Sequence, residues 1–357
     1  MEKIDAGGPA APGPDNARLV DAYDVALLDL DGVIYKGPAA VPGAIDALTR
    51  ARQAGMRLAF VTNNASRSPS AIAAQLSRLG LPAAAADVVT SAQAAARLIA
   101  ERFPPGSPVL ACGAMGLRLA LRARGLRPVS TAAEHPVAVA QGWSPDLDYG
   151  LLTEAGLAIR AGALFVATNT DATLPTPRGL QPGNGSLVQV LVTATGVEPI
   201  VAGKPRLPVH AEAMARTGAR RPLVIGDRLD TDIEGAAAGG ADSLLVLTGV
   251  SKPIDLVLAP AGRRPTYVAD GLAGLFQALQ RVRPAPPAAA APGATGRREF
   301  RLGGWTAWRG DGEAALGLTG SGQPIDGLVA LCAVAWSDGQ VSKASARGAI
   351  TRLGYAG

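Results

Sequence analysis

Residues 25–37, VALLDLDGVIYKG, run four apolar residues into two aspartates one residue apart, with glycine directly after the second. The apolar run is long enough for an interior parallel strand, and aspartate is a residue that strands avoid, so Asp29 and Asp31 mark where the strand stops. In open α/β sheets the loops at the carboxyl ends of the strands are where ligands bind, which positions both carboxylates for chemistry. Aspartate also serves routinely in turns and at helix N-caps, so this stretch takes its meaning from what surrounds it.

Outward from it, strand-like and helix-like runs alternate. AIDALTRARQAG (44–55), RLAFVTNN (57–64) and SAIAAQLSRLG (70–80) follow in turn, and the rhythm returns in RPLVIGD (221–227), TDIEGAAAGG (231–240), DSLLVLTG (242–249) and PTYVAD (265–270). Such alternation predicts an α/β fold with a Rossmann-like, doubly wound parallel-sheet core, made here of residues 21–86 and 197–283. Between the halves, SPVLACG (107–113), AVAQG (138–142) and ALFVATN (163–169) carry strands of their own and predict an inserted α/β cap over 87–196. Residues 1–20 read as a loose tail, and the Pro/Ala-rich stretch 284–296 as a semi-stiff spacer. Beyond it, residues 297–357 predict a small C-terminal α+β extension, with a hairpin bending at Gly303 and Gly304 and a helix from Ile325.

The chain has 357 residues, 48% of them hydrophobic and only 4% aromatic, so its cores are expected to be built from Ala, Val and Leu. Its net charge of +5 is scattered over short basic groups, which argues against nucleic acid as a partner. Cys112 and Cys332 lie far apart without metal-ligand spacing, as fits a reducing cytoplasm, and no apolar run approaches the roughly 18 residues of a membrane span. A soluble, cytoplasmic protein is expected. Three of the four tryptophans, Trp305, Trp308 and Trp336, fall in the C-terminal piece, where they would cover the core or a second copy, which leaves a homo-oligomer open.

Four groups of polar residues sit at predicted ends of core strands: Asp29 with Asp31, Thr62 with Asn63 and Asn64, Lys204 in VAGKP, and Asp227 with Asp232 in VIGDRLDTDIEGA. Together they supply what phosphoryl transfer to a carboxylate needs, since an anionic nucleophile approaching an anionic phosphate requires positive charge to offset the repulsion. Asp29, Asp31 and Asp227 would gather a hard, oxygen-seeking ion, for which Mg²⁺ is the natural choice. Lys204 would add a second cation. Singly, each of these residues also reads as a strand end, a loop lysine or a helix cap.

In order along the chain, DLDGVIYKG, FVTNNASRS, TSAQAAARLIA, ATNTDATLPT, PGNGSLVQVLVTATG, AGKP and GDRLDTDIEGA resemble the haloacid dehalogenase-like hydrolases over Tyr23 to Leu279. The branch resembled has a large α/β cap and includes nitrophenyl-phosphate, phosphoglycolate, pyridoxal-phosphate and glycerol-3-phosphate phosphatases. The resemblance implies that Asp29 attacks phosphorus and that Asp31 protonates the leaving alkoxide and later takes a proton from water. It assigns the phosphate oxygens to Thr62 and the Asn63 amide, with Asn64 beside them. Mg²⁺ falls to Asp29, Asp227 and the Asp31 carbonyl, with Asp232 supporting Lys204 or a metal-bound water. Asn169 and Asp171, in the cap loop after a strand, are expected to face the cleft and read the substrate. That substrate is a small phosphorylated metabolite, glycerol 3-phosphate first and phosphoglycolate second, with other sugar or nucleotide phosphates as alternatives. A regulatory protein on a retired hydrolase scaffold is the reading from a different class, and it expects a missing Asp29, Asp31 or Lys204. The C-terminal piece is similar to a fragment of an N-acetyltransferase fold, too short to be assigned catalysis, with an interaction module or a cover for apolar surface as the other readings.

Overall fold

A computed structural model describes residues 15–176, 178–286, 298–310, 315–337 and 341–355. Six parallel strands form the core sheet: Val25–Leu28, Arg57–Thr62, Val88–Thr90, Pro222–Gly226, Asp242–Val246 and Tyr267–Ala269. The first strand is central, paired in register with Arg57–Phe60 on one side and Pro222–Ile225 on the other. From it the chain builds outward to Val88–Thr90, then returns to the opposite side and builds out to Tyr267–Ala269. The order therefore reverses between Val25–Leu28 and Pro222–Gly226, the switch point at which doubly wound sheets open a crevice for ligands. Every residue of Val25–Leu28 is buried, as a continuous apolar run on a two-sided sheet requires. One face of the sheet packs on helices carrying Leu48 and Leu76, and the other on alanine-rich helices around Ala95 and Val209.

The cap is a second parallel sheet of Pro108–Cys112, Arg127–Val129, Ala138–Gln141, Leu164–Ala167 and Ile200–Val201, with an antiparallel hairpin of Thr173–Thr176 and Gly179–Pro182. Its edges differ from those read in the sequence. Val88–Thr90, drawn into the cap, pairs with Phe60–Thr62 in the core sheet, whereas Ile200–Val201, drawn into the core, pairs with Val166–Ala167 in the cap. Strands of two or three residues have too few positions for a periodic signal, and nothing in the composition changes at residue 87.

The described parts of the expected tail and spacer are tied down more than their composition suggests. Residues 1–14 of the expected loose tail lie outside the described residues. Its last part is docked: Leu19–Ala22 forms a helical turn with Leu19 and Val20 buried, and the Asn16 N–H donates to Leu279 O at 3.3 Å. Residues 287–296 of the spacer also lie outside the described residues, but Ala285 is buried and its N–H donates to Ala333 O at 2.7 Å. The C-terminal piece has three antiparallel strands, Glu299–Leu302, Trp305–Arg309 and Leu316–Gly320, and helices Pro324–Ala335 and Lys343–Thr351. The bend expected at Gly303 and Gly304 is there, both at positive φ. Every residue of the first helix from Gly327 to Ala335 is buried, because the small sheet covers one side and the hydrolase core the other.

Candidate active site

The two aspartates stand at the switch point. Asp29 follows the central strand, and its N–H donates to Ile225 O at 2.9 Å. The chain then turns at Gly32, whose φ of +82° is left-handed and whose added Cβ would lie 2.5 Å from Asp227 Oδ2. Asp31 stays open to the cleft, its carboxyl held above the ordinary carboxylate range by partial burial against the opposing pull of the Gly32 N–H and Lys36. An upward shift of that kind favours the proton-donating role of a general acid.

Lys204 enters from the loop that follows Ile200–Val201 and is 4% exposed. Its ammonium donates to the Asp29 carboxylate, to Asp232 Oδ1 at 2.7 Å and to Val61 O at 3.1 Å, which uses all three donors. Burial opposes the charge, but Asp232 and Asp29 outweigh it and raise the pKa above the usual lysine value. The expected support of Lys204 by Asp232 is thus direct.

Asp227, 1% exposed, accepts the Val250 N–H on Oδ2 at 2.6 Å, while its Oδ1 is buried with no hydrogen-bond partner among the described residues. Oxygens of Asp29, Asp227 and Asp232 lie within 4.8 Å of one another. Two of these carboxylates, Asp29 and Asp232, bond the Lys204 ammonium, and the third, Asp227, does not. Burial, opposed by Lys204 and reinforced by the neighbouring carboxylates, pushes Asp29 up to about 8, and burial with Asp232 pushes Asp227 up to about 6. An orphaned carboxylate oxygen within an all-oxygen donor set that carries excess negative charge fits a hard divalent cation such as Mg²⁺.

The loop after Asp242–Val246 supports this site without a sequence motif that marks it. Thr248 Oγ1 donates to Gly32 O at 2.6 Å, Val250 binds Asp227, and Ser251 Oγ accepts the Leu229 N–H at 3.0 Å. Gly249 leaves the space that Asp227 fills, since a Cβ there would lie 1.8 Å from Oδ2. The only signal in the sequence was Thr-Gly at a strand end, which is common in turns. Gly249→Ala must displace the Asp227 carboxylate by an ångström or so, so kcat at saturating Mg²⁺ is expected to fall about 100-fold, with about 1–3 kcal/mol lost on thermal unfolding. An unchanged kcat would show that Asp227 Oδ2 has no fixed task.

Thr62 is buried, with Oγ1 accepting the Asn64 N–H at 3.1 Å. The side-chain oxygen of Asn64 accepts from Ser66 N, Ser66 Oγ and Arg67 N, so this group shapes a turn. Asn63 faces Lys204: Oδ1 accepts the Lys204 N–H at 2.8 Å, and Nδ2 donates to Lys204 O and to Asp171 Oδ2, each at 3.1 Å. Asn169 is 5% exposed; its Nδ2 donates to Asn63 O at 2.7 Å, and its Oδ1 accepts the Asp171 N–H at 3.2 Å. Both cap residues therefore meet the loop after Thr62 and tie the cap to it. Asp171 stays half-buried, its carboxyl raised by burial against the pull of Asn63 and Arg228.

A haloacid dehalogenase-like hydrolase family model matches residues 26–127, and a related model matches residues 201–275. D-glycerol 3-phosphate phosphatase of Mycobacterium tuberculosis is 50% identical over 268 residues, 75% of either chain. The chain belongs to the haloacid dehalogenase-like hydrolases. Among solved structures, this hydrolase is similar to the M. tuberculosis glycerol phosphate phosphatase in complex with magnesium, at TM-score 0.82 and 42% identity over 94% of this chain and 98% of that one. It is also similar to 4-nitrophenylphosphatase of Thermotoga maritima, at TM-score 0.68 and 29% identity over 73% and 98% of the two chains. Residues 302–355 match a GCN5-related N-acetyltransferase-like domain, in line with the resemblance read there.

Proposed function

We propose that this hydrolase cleaves small phosphomonoesters, glycerol 3-phosphate first, through an aspartyl-phosphate on Asp29. The observation that carries the reading is Lys204, held between Asp29 and Asp232, whose oxygens lie near those of Asp227, with Asp227 Oδ1 lacking a hydrogen-bond partner among the described residues. An Asp29 oxygen forms the bond to phosphorus as the ester P–O bond breaks, and the departing alkoxide takes its proton from Asp31. Water then gives a proton to Asp31 and attacks phosphorus, releasing phosphate and restoring the Asp29 carboxylate. The Asp29 and Asp227 side chains and the Asp31 carbonyl would hold Mg²⁺, which would supply positive charge against the phosphate oxygens. Thr62 and the Asn63 N–H are placed in the same reading to hold those oxygens, and Lys204 faces them from the other side.

The polar cap loop at Asn169–Asp171 suits a hydroxylated substrate, and the 50% identical relative is a glycerol 3-phosphate phosphatase. A second reading, nucleotide hydrolysis, draws on a Bacillus subtilis 5'-nucleotidase 36% identical over 252 residues. Among the described residues no helix is long and apolar enough to cross a membrane, and both cysteines are buried free thiols, which supports a cytoplasmic enzyme.

Phosphate release from a panel of phosphomonoesters tests the reading. Glycerol 3-phosphate and phosphoglycolate are expected to show higher kcat/KM than nucleotides and pyridoxal phosphate. Chelation is expected to abolish turnover and Mg²⁺ to restore it, while Ca²⁺, larger and looser in coordination, inhibits. Nucleotides turned over best would replace the substrate class, and full activity in excess chelator would remove the metal.

A further inference from the structure

We propose that Asn63 is a positioning residue that fixes Lys204 against Asp29 and couples that placement to the cap. Its amide spans both backbone groups of Lys204, Oδ1 taking the N–H at 2.8 Å and Nδ2 giving to the carbonyl at 3.1 Å. The orientation is set chemically, because the lone donor faces Oδ1 while both facing acceptors, Lys204 O and Asp171 Oδ2, lie at Nδ2. Asn63 is itself anchored from both sides: its carbonyl accepts Ser91 Oγ of the core and Asn169 Nδ2 of the cap, each at 2.7 Å. Gly203 makes the approach possible, since a Cβ there would lie 2.6 Å from Asn63 Oδ1 and 2.4 Å from Thr168 O.

The arrangement has a mechanical consequence. Lys204 lies where the chain returns from the cap to the core, so without a clamp any shift of the cap would move the ammonium relative to Asp29. Asn63, rooted at the end of a core strand, holds the Lys204 backbone against such a shift. The same Nδ2 holds Asp171, so the cap loop is registered against the atom that sets the lysine. This inference rests on the reading of Lys204 as the charge facing the phosphate, and it assigns the Asn63 side chain a task separate from phosphate contact.

The test uses the full chain, saturating Mg²⁺ and nitrophenyl phosphate, which asks little of the cap. Asn63→Ala is expected to lower kcat about 10–100-fold with KM within about threefold, the signature of a misplaced catalytic group rather than lost substrate binding. Asn63→Asp keeps the acceptor for the Lys204 N–H but sets a carboxylate against Asp171, and is expected to lose at least as much. Combining it with Asp171→Asn, whose amide donates back across the same gap, is expected to recover kcat about threefold or more over Asn63→Asp alone. An unchanged kcat in Asn63→Ala, an effect confined to KM, or a pair no better than Asn63→Asp alone would overturn the inference. Should Asn63→Ala fail to fold, the Asn63→Asp pair decides. A parent chain that releases no phosphate from nitrophenyl phosphate would overturn the phosphatase reading itself, and the inference with it.

Discussion

Asn in place of Asp29 is expected to leave a folded protein whose turnover is lower by at least about 10³-fold, because an amide oxygen neither attacks phosphorus nor forms the acyl phosphate. Fold and function separate at this residue. Burial raises the Asp29 carboxyl from 3.8 up to about 8, against the pull of Lys204 and with Asp232 and Asp227 adding to the rise. A carboxyl whose folded value exceeds its unfolded one holds more protons in the native state, so its effect on stability becomes more unfavourable as pH rises from about 4 towards about 8. In chelator at neutral pH, Asp29→Asn is therefore expected to melt above the parent chain, with the gap closing as pH falls to about 4. Lys204 keeps Asp232 as its counter-charge. Acid quenching of the parent chain with labelled phosphomonoester should trap phosphate on protein, and the variant should trap none. Substantial turnover by the Asp29 variant would sink the covalent route, and a lower melting temperature in chelator would show that the carboxylate stabilises the fold.

What was legible in the sequence is what short stretches encode. DLDG, TNN, AGKP and GDRLDTD each place a chemical group at the end of a strand, and strand ends are visible as apolar runs that stop on polar residues. Their order then pointed to the core. The rest depends on contacts between distant stretches, which no local pattern reports. Asn63 is bonded to a residue 141 positions away, so its clamp on Lys204 could not be separated from a strand-end asparagine. Gly249 matters only for the 1.8 Å that a Cβ would leave to Asp227. Asn64, one residue from the clamp and of the same chemistry, turned out to shape a turn. Composition likewise misled at the spacer, where Ala285 is buried against the helix it was expected to hold at a distance.

A fragment ending at Arg283 is expected to lose soluble yield before it loses chemistry. Every proposed catalytic residue lies upstream, which alone would leave the C-terminal piece dispensable. The packing says otherwise. Leu245, Leu256, Val257 and Val268 of the hydrolase share one apolar cluster with Trp305, Leu328, Leu331 and Trp336, so removing the piece bares a contiguous apolar face. Polar ties go with it: Trp336 Nε1 donates to Leu256 O at 3.3 Å, Arg264 stacks 5.2 Å from the Trp336 ring centroid, and the Tyr355 hydroxyl reaches Asp270 at 2.9 Å. Exposed patches beyond a few hundred Å² drive association, so the fragment should aggregate or bind hydrophobic dye. Leu229 and Ile233 belong to the same cluster and flank the turn that carries Asp232. Their loss of backing should raise the Mg²⁺ concentration needed for half-maximal activity in whatever fragment stays soluble, while kcat at saturating Mg²⁺ stays within about threefold, since no reacting group is removed. Supplying residues 298–357 as a separate chain should restore yield and Mg²⁺ response together. A soluble monomeric fragment with the parent melting temperature would show that the shared apolar cluster contributes nothing, and a soluble, folded fragment without activity at saturating Mg²⁺ would place part of the catalytic machinery in the C-terminal piece.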